Sequence, residues 1–368
     1  MQQFQLLIKP VSYRCNLRCK YCFYLRVEDI YPKIDPFRMS DEVLESMISQ
    51  LLKYRFRESI FGWQGGEPTL AGLDFFKKVV SFQQKYGQSG QIVGNAIQTN
   101  GTLLAKNEEW AKFLEKYKFL IGLSLDGPKH IHDRYRKDIK GGSVWEKVMQ
   151  AAQTFRDYGV EFNILCVVSK ANVSKAEEIY KFFLENGFYH LQFIPALEAD
   201  QNGKRASFSV SANQLGKFYC NLFNIWRKNP DKASIRLFNG MIAHHLGYPK
   251  GNCAYEKKCA DYMLVEWNGD VYPCDFFVQD KYKLGNLLKQ DLSELKQKRD
   301  NSFAQIKLKL SPICQKCKWL ELCYGGCVKD RFFQDNPHAD RSYYCEAYRA
   351  LFKESNQWFI KYSKNISY

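Results

Sequence analysis

The chain has no apolar run approaching the ~18 residues that span a bilayer, so no segment reads as a membrane helix. Its N-terminus, Met1-Gln2-Gln3-Phe4, lacks a basic n-region and a long apolar stretch, which argues against a signal peptide. Low-complexity segments and a disordered tail are missing too. A disulfide framework is excluded by the same lack of a secretion signal, and by an odd count of thirteen cysteines. Reduced, metal-ligating thiols in the cytoplasm fit better. The formal charge of +15 lacks a focus, because the basic residues are spread along the chain instead of gathered in a tail. Neither nucleic acid nor membrane is expected as a partner.

What the chain does have is Cys15-x3-Cys19-x2-Cys22, shortly after a strand-like run that begins at Phe4. Soft thiolates at this spacing can wrap one iron–sulfur cluster. A cubane has four irons, so three thiolates leave one iron open to bind and transform something else. Hydrophobic content of 45% with 15% aromatics is ample for a core around such a site.

The first two thirds alternate strands and helices. Strand candidates are Phe4–Lys9, Ser59–Trp63, Ile92–Thr99, Phe119–Leu125, Glu161–Val168 and His190–Ile194. Val43, Leu44, Met47, Ile48, Leu51 and Leu52 recur at helical spacing after the N-cap candidate Ser40. Further helices fit Asp74–Tyr86, Glu108–Tyr117 and Ser143–Tyr158, and Ser174 with Glu177 forms a capping-box signature before a fifth. Leu215, Phe218, Tyr219, Leu222, Phe223 and Trp226 mark a sixth. Six strand–helix units in series imply an α/β fold with a parallel sheet, open or closed into a partial barrel.

After about residue 240 the texture changes to short segments and dense cysteines. A hairpin is readable over Tyr262–Trp267, Asn268-Gly269 and Asp270–Pro273, and Tyr344–Ile360 reads as a closing helix. The expected organisation is residues 1–240 as the larger domain and 241–368 as a small cysteine-rich one that metal clusters would staple. Eight cysteines fall there: Cys253, Cys259, Cys274, Cys314, Cys317, Cys323, Cys327 and Cys345. Two fully ligated iron–sulfur clusters is the economical reading, with zinc the alternative for Cys314-x2-Cys317 taken alone. Each four-thiolate cluster would add roughly −2 to the net charge and a three-thiolate cluster roughly −1. Cys166, in an apolar strand, and Cys220, in a helix, read as core.

CxxxCxxC with Tyr21 before the third cysteine, followed by Gly65-Gly66-Glu67-Pro68 after the second strand, resembles the radical S-adenosylmethionine (SAM) enzymes. Cys259-x9-Gly269-x4-Cys274, then Cys314-x2-Cys317-x5-Cys323-x3-Cys327, then Cys345, resembles the SPASM domain. Within that group the chain resembles anaerobic sulfatase-maturating enzymes nearly end to end. The likeness is carried by Leu7-Ile8-Lys9-Pro10, Gln64–Gly72, Gln98-Thr99-Asn100-Gly101-Thr102, Ser124-Leu125-Asp126-Gly127-Pro128 and Tyr272-Pro273-Cys274-Asp275-Phe276.

The resemblance implies a partial (β/α)6 barrel followed by a SPASM domain. It implies SAM and three [4Fe–4S] clusters as cofactors. Cys15, Cys19 and Cys22 would hold the SAM cluster. Cys253, Cys259, Cys274 and Cys327 would hold a first auxiliary cluster, and Cys314, Cys317, Cys323 and Cys345 a second. Tyr21, Gly66, Ser124, Arg136 and Leu197 match SAM-contact positions, and Asp275 matches the catalytic base. Tyr24 and Gln64 are further pocket-lining candidates. The implied reaction converts a Cys or Ser of a sulfatase peptide to formylglycine, through a 5′-deoxyadenosyl radical that takes a β-hydrogen. Asp275 would take a proton and an auxiliary cluster the second electron. The partners would be an unfolded sulfatase, or its Cys/Ser-x-Pro-x-Arg segment, and a cellular electron donor.

Two other functions compete. One is a different SPASM peptide modification, such as a thioether crosslink; a first strand beginning by Phe4 leaves no room for a leader-binding domain and counts against it. The other is a non-catalytic zinc-rich binding module, which would have no need of an open iron.

Overall fold

β1 (Gln5–Lys9) turns Leu6 and Ile8 into the core and ends on a buried lysine. In the computed structural model, which describes residues 3–31, 38–259 and 262–366, this strand lies inside a largely parallel sheet. Two compact units are built from interleaved stretches of chain. The first comprises Met1–Ser124, Arg136–Phe162 and Asp261–Phe303; the second comprises Leu125–Tyr135, Asn163–Ala260 and Ala304–Tyr368.

The first unit contains β1, β2 (Glu58–Trp63), β3 (Ile92–Thr99) and β4 (Leu120–Ser124), paired in parallel in that order. On the other side of β1 lies β8 (Tyr262–Glu266), also parallel. It is followed by the antiparallel β9 (Asp270–Tyr272) and β10 (Gly285–Asn286). The hairpin expected from sequence is therefore real, and its first strand runs beside β1 with Lys9 opposite Glu266. Gly269 takes φ +84° in the turn, a left-handed conformation that a side chain would strain.

Helix α1 (Asp41–Leu52) buries Val43, Leu44, Met47, Ile48, Leu51 and Leu52, and its Ser40 hydroxyl accepts from the Val43 N–H, as the sequence pattern predicts. α2 (Leu73–Tyr86) sets Phe76 edge-on to Trp63 of β2 at 5.5 Å. Fully burying side chains of this size stabilises by roughly 1.5–3 kcal/mol each, which holds the strand ends in place.

In the second unit β5 (Phe162–Val168), β6 (His190–Pro195) and β7 (Ser234–Ile235) pair in parallel. The helix Ala176–Glu185 corrects one expectation: its N-cap is Lys175, with no side-chain cap, so Ser174 does not cap it. The capping box forms instead at Ser211 and Gln214, before Ala212–Trp226. That helix packs closely on the C-terminal helix Cys345–Ile366, where a Cβ on Gly216 would lie 3.2 Å from the Ala347 Cα. Cys166 is fully buried, as expected of core; Cys220 is only half-buried. Among the described residues no helix is long and apolar enough to cross a membrane.

Candidate active site

The loop after β1 carries Cys15, Cys19 and Cys22. It is clamped by the loop after β2. The Gly66 N–H donates to the Ser12 carbonyl at 2.7 Å, and the Glu67 N–H donates to the Arg14 carbonyl at 2.8 Å. Contact is so close that a Cβ on Gly66 would sit 1.9 Å from the Arg14 carbonyl oxygen. Glycine is required here by space.

Glu67 is 1% exposed. Its Oε1 accepts from the Thr69 N–H (3.1 Å) and from the hydroxyls of Thr69 and Thr99 (both 2.7 Å), while Oε2 accepts from the Asn100 N–H at 2.7 Å. Burial raises its pKa and these donors pull it back down. The carboxylate thus ties the glycine loop to the end of β3. From that strand end, the Asn100 amide donates to Asn16 Oδ1 at 2.9 Å and reaches Cys15 Sγ at 3.7 Å, and Asn16 in turn donates to the Thr102 hydroxyl at 2.8 Å.

The thiols sit in a low-dielectric setting. Burial pushes Cys15 up to about 12, reinforced by nearby Glu67. Cys22 is also raised by burial, against the pull of two backbone N–H groups and of Arg136 and Lys9. The Arg136 guanidinium lies over the Tyr21 ring at 5.3 Å, both residues being buried. Ser124 ends β4, also buried. These five elements of the sequence expectation, Cys15–Cys22, Tyr21, Gly66, Ser124 and Arg136, all belong to the first unit. Leu197 belongs to the second, buried two residues beyond β6.

Asp275 opens a short turn (Asp275–Phe277) directly after the β8–β9 hairpin. It is nearly buried, and Cys274 Sγ lies 3.3 Å from its Oδ1 and 3.3 Å from the Tyr262 hydroxyl. This turn packs on the segment that follows Cys22: the Phe23 and Phe276 rings are 4.7 Å apart, and the Arg26 guanidinium donates to the Phe276 carbonyl at 2.6 Å.

Beneath this contact is a buried polar group. The Lys9 ammonium lies over the Tyr24 ring at 4.1 Å, and Lys9 is 1% exposed. The Tyr24 hydroxyl donates to Glu266 Oε1. Burial pushes Glu266 up to about 7, opposed by that hydrogen bond and by Lys9. Burial pulls the Lys9 pKa down, while Asp275, Glu266, Cys22 and Cys274 draw it up. Glu266 Oε2 and Ser12 Oγ are buried without a hydrogen-bond partner among the described residues.

The second unit holds the other seven cysteines expected as cluster ligands. Cys314, Cys317, Cys323 and Cys345 all line one cavity of about 400 Å³, with Trp319, Tyr348 and Phe352 among its walls. Burial pushes Cys345 up to about 11, and Cys323 and Cys314 act on it electrostatically; Cys323 is likewise raised by burial and senses Cys317 and Cys314. Cys327 is raised by burial, then by Asp330 and Cys253. Lys307, itself buried, donates to the carbonyls of Cys253 and Ala254 and senses Cys259, Cys327 and Cys253. Among the described residues no His, Cys, Asp or Glu side chains converge as ligands of a single metal ion.

The donor chemistry fits iron–sulfur ligation. Thiols held neutral by burial need a strong Lewis acid to release their protons. Buried cations beside them have charge to neutralise only once those thiolates form.

A family model described as the radical SAM superfamily matches residues 10–183, and one described as an iron–sulfur cluster-binding (SPASM) domain matches residues 253–318. A cysteine-type anaerobic sulfatase-maturating enzyme of Clostridium perfringens is 41% identical over the full length of both chains. The chain belongs to the anaerobic sulfatase-maturating enzyme family. A serine-type relative from Bacteroides thetaiotaomicron is 36% identical over 95% of this chain and 88% of its own. The solved structure of native anSMEcpe with bound AdoMet and Cp18Cys peptide superposes with a TM-score of 0.89 at 40% identity, covering 98% of this chain and 99% of that one.

Membership confirms the expected radical SAM fold with its C-terminal SPASM domain and makes the chain an oxidoreductase. Three site residues of this family member had no role in the sequence reading: Asn100, Glu266 and Lys9. Lys9 stood within a quoted motif, but only the β1–β8 pairing brings Glu266 opposite it. Asp126, within the quoted Ser124–Pro128 motif, accepts from the Val167 N–H at 2.9 Å and serves the end of β5.

Proposed function

We propose that this chain oxidises a cysteine, and less readily a serine, in a Cys/Ser-x-Pro-x-Arg segment of an unfolded sulfatase to formylglycine. The assignment to cysteine rests on the full-length cysteine-type relative. We assign residues 1–240 to the radical SAM domain and 241–368 to the SPASM domain. Cys15, Cys19 and Cys22 hold the SAM cluster; Cys253, Cys259, Cys274 and Cys327 hold one auxiliary cluster; Cys314, Cys317, Cys323 and Cys345 hold the other. Tyr21, Gly66, Ser124, Arg136 and Leu197 are the residues that would contact SAM.

When bound, SAM and a reduced cluster on Cys15, Cys19 and Cys22 would supply the one-electron chemistry that removes a hydrogen atom from the substrate β-carbon. The chain's own residues do the rest. Glu67 fixes the glycine loop against the cysteine loop, so the backbone near Gly66 meets the ligand in one conformation. Tyr21 and Arg136 close one side. Asp275 would receive the thiol proton at its carboxylate, and the substrate's second electron would pass to an auxiliary cluster. The substrate is then a thioaldehyde, which water converts to the aldehyde with loss of hydrogen sulfide. A cellular one-electron donor primes the reaction. Thirteen cysteines that would act chiefly as metal ligands suit the reducing cytoplasm.

The observation that carries this reading is the packing of the Asp275 turn onto the segment after Cys22, with Phe23 and Phe276 at 4.7 Å. It sets a carboxylate beside the cluster loop. The test is anaerobic incubation of reconstituted protein with SAM, a reductant and matched Cys and Ser peptides, followed by mass spectrometry. An aldehyde product from the Cys peptide supports the reading. Deoxyadenosine without peptide oxidation sinks it.

A further inference from the structure

We propose that Lys9 is an electrostatic positioning residue shared by two cluster sites, its buried ammonium raising the reduction potentials of the clusters held by Cys22 and by Cys274. The proposal rests on the cluster assignments above for those two cysteines.

Lys9 is a costly residue to place at the end of a central strand. It is 1% exposed, and taking an ammonium out of water is unfavourable by several kcal/mol unless other charges or dipoles replace the solvent. The structure provides replacements on every side. The Tyr24 ring presents its face to the ammonium at 4.1 Å. Glu266 stands opposite in the β1–β8 register and is fixed by the Tyr24 hydroxyl. The carboxylates of Asp275 and Glu266, and the thiols of Cys22 and Cys274, act on Lys9. Tyr24 is two residues beyond Cys22, and Asp275 directly follows Cys274. The contact between Phe23 and Phe276 keeps these two segments together. One buried positive charge thus sits against Tyr24 and opposite Glu266, among the packed segments that carry an expected ligand of the initiating cluster and an expected ligand of an auxiliary one.

The direction of the effect follows from charge alone. Reduction adds an electron to a cluster, so a nearby buried cation favours the reduced form. Glu266, on the same ammonium, opposes it. Removing Lys9 moves both potentials down; removing the Glu266 charge moves them up. Cys314, Cys317, Cys323 and Cys345 line one cavity of the second unit, and the cluster they would hold serves as the internal reference.

The experiment is an EPR-monitored redox titration of reconstituted full-length protein at pH 8.5, where Glu266 is ionised. The variants are Lys9→Met, Lys9→Arg and Glu266→Gln. The SAM-binding cluster is resolved by its spectral response to SAM, and iron is counted in every sample. We expect Lys9→Met to disfavour reduction of the two neighbouring clusters about tenfold, or about 59 mV for one electron. Lys9→Arg restores most of the shift, Glu266→Gln shifts both clusters the opposite way, and the third cluster stays put. Unmoved potentials in fully loaded Lys9→Met overturn the proposal, as does an equal shift of all three clusters. If Lys9→Met fails to fold, Glu266→Gln decides: an unmoved or lowered potential refutes the role. Wild-type protein that binds iron at fewer than three clusters refutes the ligand assignment instead, which separates that failure from a failure of Lys9.

Discussion

Gly66→Ala is the sharpest test of how the cysteine loop is held. The added Cβ would lie 1.9 Å from the Arg14 carbonyl oxygen, 2.4 Å from its carbon and 2.5 Å from the Tyr13 oxygen, whereas real Cβ atoms essentially never come within 3.0 Å. All three obstacles are backbone, so no rotamer change relieves them. The loops must part by more than an ångström. Yet they are joined by the bonds from Gly66 N–H to Ser12 and from Glu67 N–H to Arg14, at 2.7 and 2.8 Å, and both break at that separation. Two lost hydrogen bonds at about 1 kcal/mol each, plus about 1–3 kcal/mol of overpacking, put the local cost near 3–5 kcal/mol. Arg14 adjoins Cys15, so the strain falls on a proposed cluster ligand. The variant should fold, because the clash is confined to one loop pair. It should bind about eight irons where wild type binds about twelve, and form no deoxyadenosine from SAM. Full iron loading with wild-type SAM cleavage would refute the account of the Gly66 contact.

Asp275→Asn should keep SAM cleavage while reducing peptide oxidation by roughly 10²–10⁴-fold, the usual contribution of a general base; wild-type product formation removes Asp275 from that role. Cys345→Ala should cost about four irons and leave the SAM-responsive EPR signal intact, since the cavity it lines belongs to the other three thiols Cys314, Cys317 and Cys323. Glu266 gives a stability test. Its folded pKa lies above the carboxylate value of 4.5, at about 7, so the native state favours the proton. That contribution is fully present below pH 4.5, is lost as pH rises through about 7, and amounts to about 3 kcal/mol. Urea unfolding of Glu266→Gln should therefore gain on wild type between pH 4.5 and 8.5. A constant difference across that range would show that the buried carboxylate is not being held neutral.

Much of this was legible in local sequence. The α1 stripe from Val43 to Leu52 reads as a helix because six apolar side chains fall on one face, and the same six are buried. The cysteine motif and the Gly65–Pro68 loop are readable because their chemistry is packed into a few residues. The hairpin over residues 262–272 is marked by its own turn, Asn268-Gly269. What lay beyond reach was where that hairpin goes. Its parallel pairing with β1 joins residues more than 250 positions apart, and no local pattern encodes it. The Lys9–Glu266–Tyr24 group inherits that invisibility. Capping shows a different limit: Ser174 with Glu177 and Ser211 with Gln214 are equally good signatures, and only the second meets a helix start in the right register.

The excess of positive charge acquires a structural meaning from the same sites. A formal +15 invites a polyanion partner when read as a surface property. Yet some of the most constrained cations are inside. Lys9 and Lys307 are each 1% exposed and Lys250 is 6% exposed, and each has a cluster cysteine among the groups acting on it: Cys22 and Cys274 on Lys9, Cys259, Cys327 and Cys253 on Lys307, Cys323 on Lys250. Arg331 is lowered by burial and drawn up by Cys314, Cys259, Cys327 and Cys323. Glu266 and Asp275 act on Lys9, and Lys250 pairs with Glu256 at 3.9 Å, but a neutral thiol adds no counter-charge to a buried cation. Ligation of iron converts those thiols to thiolates and brings net negative charge to the same places. Buried cations of this kind suit the negative charge that ligated clusters would bring, so a few of the chain's basic residues serve its interior and not its surface.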